Sequence, residues 1–83
     1  MQFKGTVLNS STEDREMTGK DGNKRKAKIA HVLLDVKDGE SREVVNIRSY
    51  DPEWTLPDIG KVWTSPRVKK YENYDGMVGD ATV

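Results

Sequence analysis

Apolar and polar residues alternate with a period of two along this chain, in short runs separated by turn residues, which is the pattern of half-buried β-strands. Phe3 to Asn9 sets Phe3, Gly5 and Val7 against Lys4 and Thr6, and the alternation continues more weakly toward Met17. Ile29 to Val36 is apolar on both faces except at His31 and Asp35, as a central strand requires. Glu43 to Tyr50 places Val45 and Ile47 on one face and Val44, Asn46, Arg48 and Tyr50 on the other. Lys61 to Thr64 and Arg67 to Tyr71 form a fourth strand bent at Pro66, and Met77 to Val83 forms a fifth.

Turn signals punctuate these runs at Thr18–Asn23, Lys37–Glu40, Asp51-Pro52, Leu56–Gly60 and Tyr74–Gly76. Three of them contain Asp-Gly, which suits tight turns because Gly accepts positive φ and Asp tolerates it. No stretch carries a helical period. Asp51-Pro52 could cap a single turn before Asp58, and Pro57 stops anything longer. Five strands in a meander, with one longer connection between the third and fourth, predict a small all-β barrel occupying residues 1–83 as one domain.

Composition narrows this picture. At 83 residues, 34% hydrophobic and 34% charged, the core must be thin, and two Trp, three Tyr and one Phe must supply much of its area. With no Cys, disulfides and thiolate metal sites are excluded. There is no apolar run of membrane-spanning length and no signal-peptide core, so the expectation is a cytoplasmic protein without a membrane partner. Net charge is zero, yet the charges are segregated. Arg15 to Lys28 holds six basic residues (Arg15, Lys20, Lys24, Arg25, Lys26 and Lys28) against Glu16 and Asp21. Asp35 to Asp58 holds three basic against seven acidic residues. A polarised surface with its positive end on a Gly-containing hairpin can reach a polyanion.

Three segments together resemble the small OB-fold single-stranded DNA-binding proteins of bacteriophages and mobile elements. They are the opening strand Phe3-Lys-Gly-Thr-Val7, the basic hairpin Thr18-Gly-Lys-Asp-Gly-Asn-Lys-Arg-Lys26 leading into a core strand, and Leu56-Pro-Asp-Ile-Gly-Lys-Val62 before the fourth strand. The hairpin is similar to the basic DNA-binding wing of the filamentous-phage gene V type. The resemblance implies a five-stranded antiparallel OB-like barrel with a protruding basic hairpin, located in a bacterial or phage-infected cytoplasm. The connection Ser49–Trp54 lacks the longer helix that many OB-folds carry there.

Single-strand binding needs cations that track phosphates and aromatic faces that stack on bases. Arg15, Lys20, Lys24, Arg25 and Lys26 are the candidate phosphate contacts, with Lys24, Lys26 and Lys28 alternating onto one strand face and Arg25 onto the other. Arg48 and Tyr50 share a face of the third strand. Arg67, Lys69 and Tyr71 are expected to share a face of the fourth, with Tyr74 exposed at the following hairpin. Against this stands ordinary packing: edge lysines keep hairpins soluble, and a strand Tyr is commonly half-buried. Trp63 is expected in the core and Trp54 as a plug over one barrel end. Asp51, Glu53 and Asp58 are expected to face away from any nucleic acid.

His31, the one histidine, has no neighbouring ligand set in the sequence, so no metal and no cofactor are expected. Catalytic signatures are absent, including Gly-x-Ser-x-Gly, the P-loop and the dinucleotide fingerprint. The expected function is therefore non-catalytic binding of single-stranded DNA, with RNA possible and little sequence preference. Dimerisation would extend the short site of one small barrel. The alternative is a non-catalytic protein-interaction β-barrel, accessory or virion-associated.

Overall fold

A computed structural model describes residues 1–74 and 78–83, without the side chains at positions 38, 41, 72–74 and 78. Its strands are β1 (Lys4–Thr18), β2 (Lys24–Asp38), β3 (Ser41–Tyr50), β4 (Val62–Thr64), β5 (Lys70–Tyr74) and β6 (Val78–Thr82). They form one curled, half-barrel sheet in the order β4-β1-β2-β3-β6-β5. The all-β, barrel-like class matches the sequence pattern. The strand count does not: there are six strands, not five.

The difference lies at Pro66. Pro66 has no N–H to donate to a ladder, and Ser65 before it is held extended, so the expected bent fourth strand divides into two. Its first half, β4, pairs antiparallel with Lys4–Thr6 at one edge of the sheet. Its second half, β5, pairs antiparallel with β6 at the other edge. The link between them bonds to both ends of the sheet: Ser65 N–H donates to Phe3 O (2.7 Å), Val68 N–H to Met1 O (2.7 Å) and Lys69 N–H to Thr82 O (2.7 Å). Because this link carries the chain back across the sheet, β6 arrives parallel to β3, which corrects the expectation of a wholly antiparallel sheet. The connection after β3 is irregular, with no helical turn among the described residues.

Strand pairing assigns the faces. The inner face carries Val7, Val32, Leu34, Val45, Ile47 and Ala81, all buried and joined by Val68 in one cluster. Around this thin core sit two aromatic pairs. Phe3 and Tyr71 lie 4.9 Å apart between ring centroids, and Trp54 and Trp63 lie 5.3 Å apart. Both tryptophans are partly buried and pack against the cluster. Gly79 pairs with Asn73 and lies diagonally across from Tyr71, whose ring passes over it. A Cβ at Gly79 would stand 2.5 Å from Tyr71 Cε2, so only glycine leaves room for the ring.

Replacing Gly79 by Ala should therefore overpack the core, costing about 1–3 kcal/mol. Urea unfolding should show a lowered midpoint, and the Gly79→Ala/Tyr71→Leu double variant should recover part of the loss.

Candidate nucleic-acid interface

β1 and β2 run as a ladder from Thr6↔Asp35 to Thr18↔Lys24, with a bulge between Val7 and Asn9. β3 follows β2 only as far as Ile29↔Tyr50. Beyond that rung, Asp14↔Lys28 to Thr18↔Lys24 form a two-stranded arm with no third strand paired to it. Its tip is closed by Gly19 N–H to Asn23 O (2.8 Å) and Gly22 N–H to Gly19 O (3.0 Å), with Gly22 at φ 81°. Asp21 accepts from the Asn23 N–H and side-chain amide, which draws its carboxyl below the usual carboxylate range. Beside the tip, Met17, Lys20 and Arg25 border an open hollow.

The bulge re-phases β1, so that Ser10, Thr12, Asp14 and Glu16 continue the inner face while Ser11, Glu13, Arg15 and Met17 point outward. On β2, Lys24, Lys26 and Lys28 continue the inner-face row, and Arg25, Ala27, Ile29 and His31 the outer one. The candidate phosphate contacts thus divide between the two faces of the arm. Arg15 and Arg25 share the outer face with Arg48 and Tyr50. Lys24, Lys26 and Lys28 lie on the other side of the arm.

The outer face has a definite polar layout. Glu13 Oε1 lies 2.8 Å from His31 Nε2 and accepts from Arg15 Nη2 at 3.0 Å. The His31 hydrogen bond, more than the arginine charge, holds the Glu13 carboxyl below its ordinary value. Arg48, opposite His31, approaches Asp80 at 3.9 Å, and its Nε is buried without a hydrogen-bond partner. Tyr50 ends β3 opposite Ile29 and is 40% exposed, enough to offer a ring face to solvent. Ala27 and Ile29, on the same row of β2, are buried although they lie outside the main core cluster.

Several sequence expectations are corrected at this point. Tyr71 does not share an outward face with Arg67 and Lys69. It points to the inner face, lies tilted against Phe3 and donates its hydroxyl to Glu43. Burial, reinforced by the Glu43 carboxylate, pushes the phenol up to about 12. Arg67 and Lys69 do not share a strand face with it: both precede β5 and are exposed on the closing link. The side chain of Tyr74 and the Asp75-Gly76 turn lie outside the described residues. Asp51 stands against the root of the basic hairpin. Its Oδ1 accepts from Lys28 N–H at 3.1 Å, and its Oδ2 lies 3.6 Å from Arg25 Nη2.

Sequence reading also missed the Glu13–His31–Arg15 cluster. Glu13 and His31 are eighteen positions apart and meet only through the β1–β2 register. At the far end of the sheet, Arg42 grips the buried Asp35 with two bonds, of 2.7 and 2.5 Å, and holds its carboxyl low. Among the described residues no group of three or more metal-ligating side chains could hold an ion, and no helix is long and apolar enough to cross a membrane. No family model matches the chain, and comparisons with curated proteins and with solved structures return no match.

The buried phenol yields a pH dependence. The native state holds Tyr71 neutral, so its stabilising contribution is whole below its ordinary value of 10.0 and declines as pH rises from there toward about 12. Absorbance titration at 295 nm should show a late phenol step that Tyr71→Phe removes.

Proposed function

We propose that the chain is a non-catalytic binder of single-stranded nucleic acid, DNA in the first instance, acting through an OB-like barrel and its projecting arm. The observation that carries this reading is the gathering of Arg15, Arg25 and Arg48 with the exposed Tyr50 on one outer surface where the arm leaves the barrel. Guanidinium groups pair with phosphates and stack on bases, and an exposed phenol offers a sequence-tolerant platform. The path of the sheet supports the OB-like reading as well: β3 pairs parallel with the last strand, and the first strand is flanked by β2 and β4. In such barrels the face of the second and third strands takes the oligonucleotide.

The lysines have a different part. Lys20 at the tip and Lys26 and Lys28 on the arm's other face have no ion-pair partner among the described residues. They add attractive field around the arm and steer a polyanion toward it. Arg67 and Lys69, exposed on the closing link, contribute in the same way. Two barrels acting together would lengthen the site through effective concentration.

A protein-interaction role draws on another surface. Leu8, Ile59 and Val62 are exposed, and Gly60 N–H to Val7 O (2.7 Å) together with the Thr6↔Val62 pairing brings their segments alongside one another. This apolar group is small and lies away from the arm.

Fluorescence anisotropy with labelled oligo(dT) tests the main reading by face. Arg15→Ala/Arg25→Ala and Lys26→Ala/Lys28→Ala each remove two charges, from opposite sides of the arm. The arginine pair should cost at least about tenfold in affinity and the lysine pair clearly less, because a phosphate contact outweighs a distant charge. Tyr50→Ala should cost roughly 1–3 kcal/mol if a base stacks on it. Equal losses for both pairs would argue for unspecific attraction, and absence of binding to DNA and RNA at low salt would leave the protein-interaction role.

A further inference from the structure

Both arginines of the arm already face a carboxylate. Glu13 accepts from Arg15 at 3.0 Å, and Asp51 stands 3.6 Å from Arg25. The two acids are held differently. Glu13 is steadied by a side chain, His31. Asp51 is fixed by the backbone: Oδ1 accepts from Lys28 N–H at 3.1 Å, and its own N–H donates to Lys28 O at 2.7 Å. Its φ of 49° is the one left-handed value at a described non-glycine residue. This conformation turns the chain out of β3 and leaves the carboxylate against the arm, one residue beyond Tyr50. An anion held this way spends little side-chain entropy to meet its cation, unlike an ordinary surface pair.

We propose that Asp51 is a built-in counter-ion for Arg25, standing where a phosphate of a bound single strand would stand, so that a strand engages the arm only by displacing it. The proposal rests on the outer face being the single-strand surface. Its consequence is selectivity for linked phosphates. A lone anion cannot compete with a carboxylate already anchored beside Arg25. A strand that reaches Arg15, Arg25 and Arg48 together can, because its first contact raises the effective concentration of the next phosphate. Affinity and salt dependence should both fall below what the number of cations suggests, since the charge of Asp51 offsets part of the arm's neutralisation of the strand and fewer of the strand's condensed counter-ions are released.

The test is Asp51→Asn, which keeps an acceptor for Lys28 N–H and tolerates positive φ while removing the charge. In oligo(dT) titrations across a salt series, it should bind about threefold to tenfold tighter at low salt. The slope of log K against log salt should steepen by about 0.7, the increment for one freed cation on a single strand. In an Arg25→Ala background the same substitution should give a much smaller gain, because only the carboxylate's through-space repulsion of the strand is left to remove. If Asp51→Asn melts below the assay temperature, Asp51→Gly takes the same φ and reads the same release. Unchanged or weaker binding by the charge-free variants, or an equal gain without Arg25, overturns the counter-ion role alone. Failure of both wild type and Asp51→Asn to bind oligo(dT) or oligo(rU) at low salt overturns the single-strand surface itself.

Discussion

The register between β1 and β2 is the constraint on which the rest of the structure depends. Both strands are fifteen residues long, whereas β3 has ten. Counted from the β2–β3 turn, β3 runs out at Tyr50, and β1 and β2 continue without a third strand. That mismatch in length produces the arm. The bulge at Val7/Asn9 then decides which side of the arm each charge occupies, because re-phasing by one residue exchanges the two faces of a strand. Arg15 and Met17 would lie on the inner-face row without it.

The thin core is made sufficient by closure. With a third of the residues hydrophobic, a flat sheet would leave one face of Val7, Val32, Leu34, Val45 and Ile47 wet. Curling the sheet and tying its two ends to the 65–69 link covers that face with the chain's own aromatics. The buried Ser65 shows how fully the link is satisfied. Its N–H donates to Phe3 O, its hydroxyl accepts from Phe3 N–H and donates to Pro66 O, and its carbonyl accepts from Gln2. A buried link with orphaned polar groups would cost more than the closure returns.

The sequence pattern located much of this. The alternation of Phe3, Gly5 and Val7, the two-sided apolar run at Ile29–Val36, and the division of Val45 and Ile47 from Arg48 and Tyr50 all match the faces in the sheet. Tyr71 was misplaced because a run of Arg, Lys and Tyr reads identically whether its strand begins at Arg67 or at Lys70. Shifting the strand start past Lys69 takes Tyr71 out of a shared row with it and sets the ring on the inner face. The contacts of Asp51 were not legible because its partners, Arg25 and Lys28, are more than twenty positions away, and local charge carries no sign of them.

The sequence by itself determined the all-β class, the positions of the central strands, the basic hairpin and the pairing of Arg48 with Tyr50 on one face. These follow from a period of two and from turn chemistry, both of which act between near neighbours. Tertiary structure alone decided the splitting of the strand at Pro66, the parallel approach of β6 to β3, the sorting of arm cations between two faces, and the carboxylates set against Arg15 and Arg25. Each of those depends on register between distant strands. Register is set by how the whole sheet buries its thin core, so no local pattern can carry it.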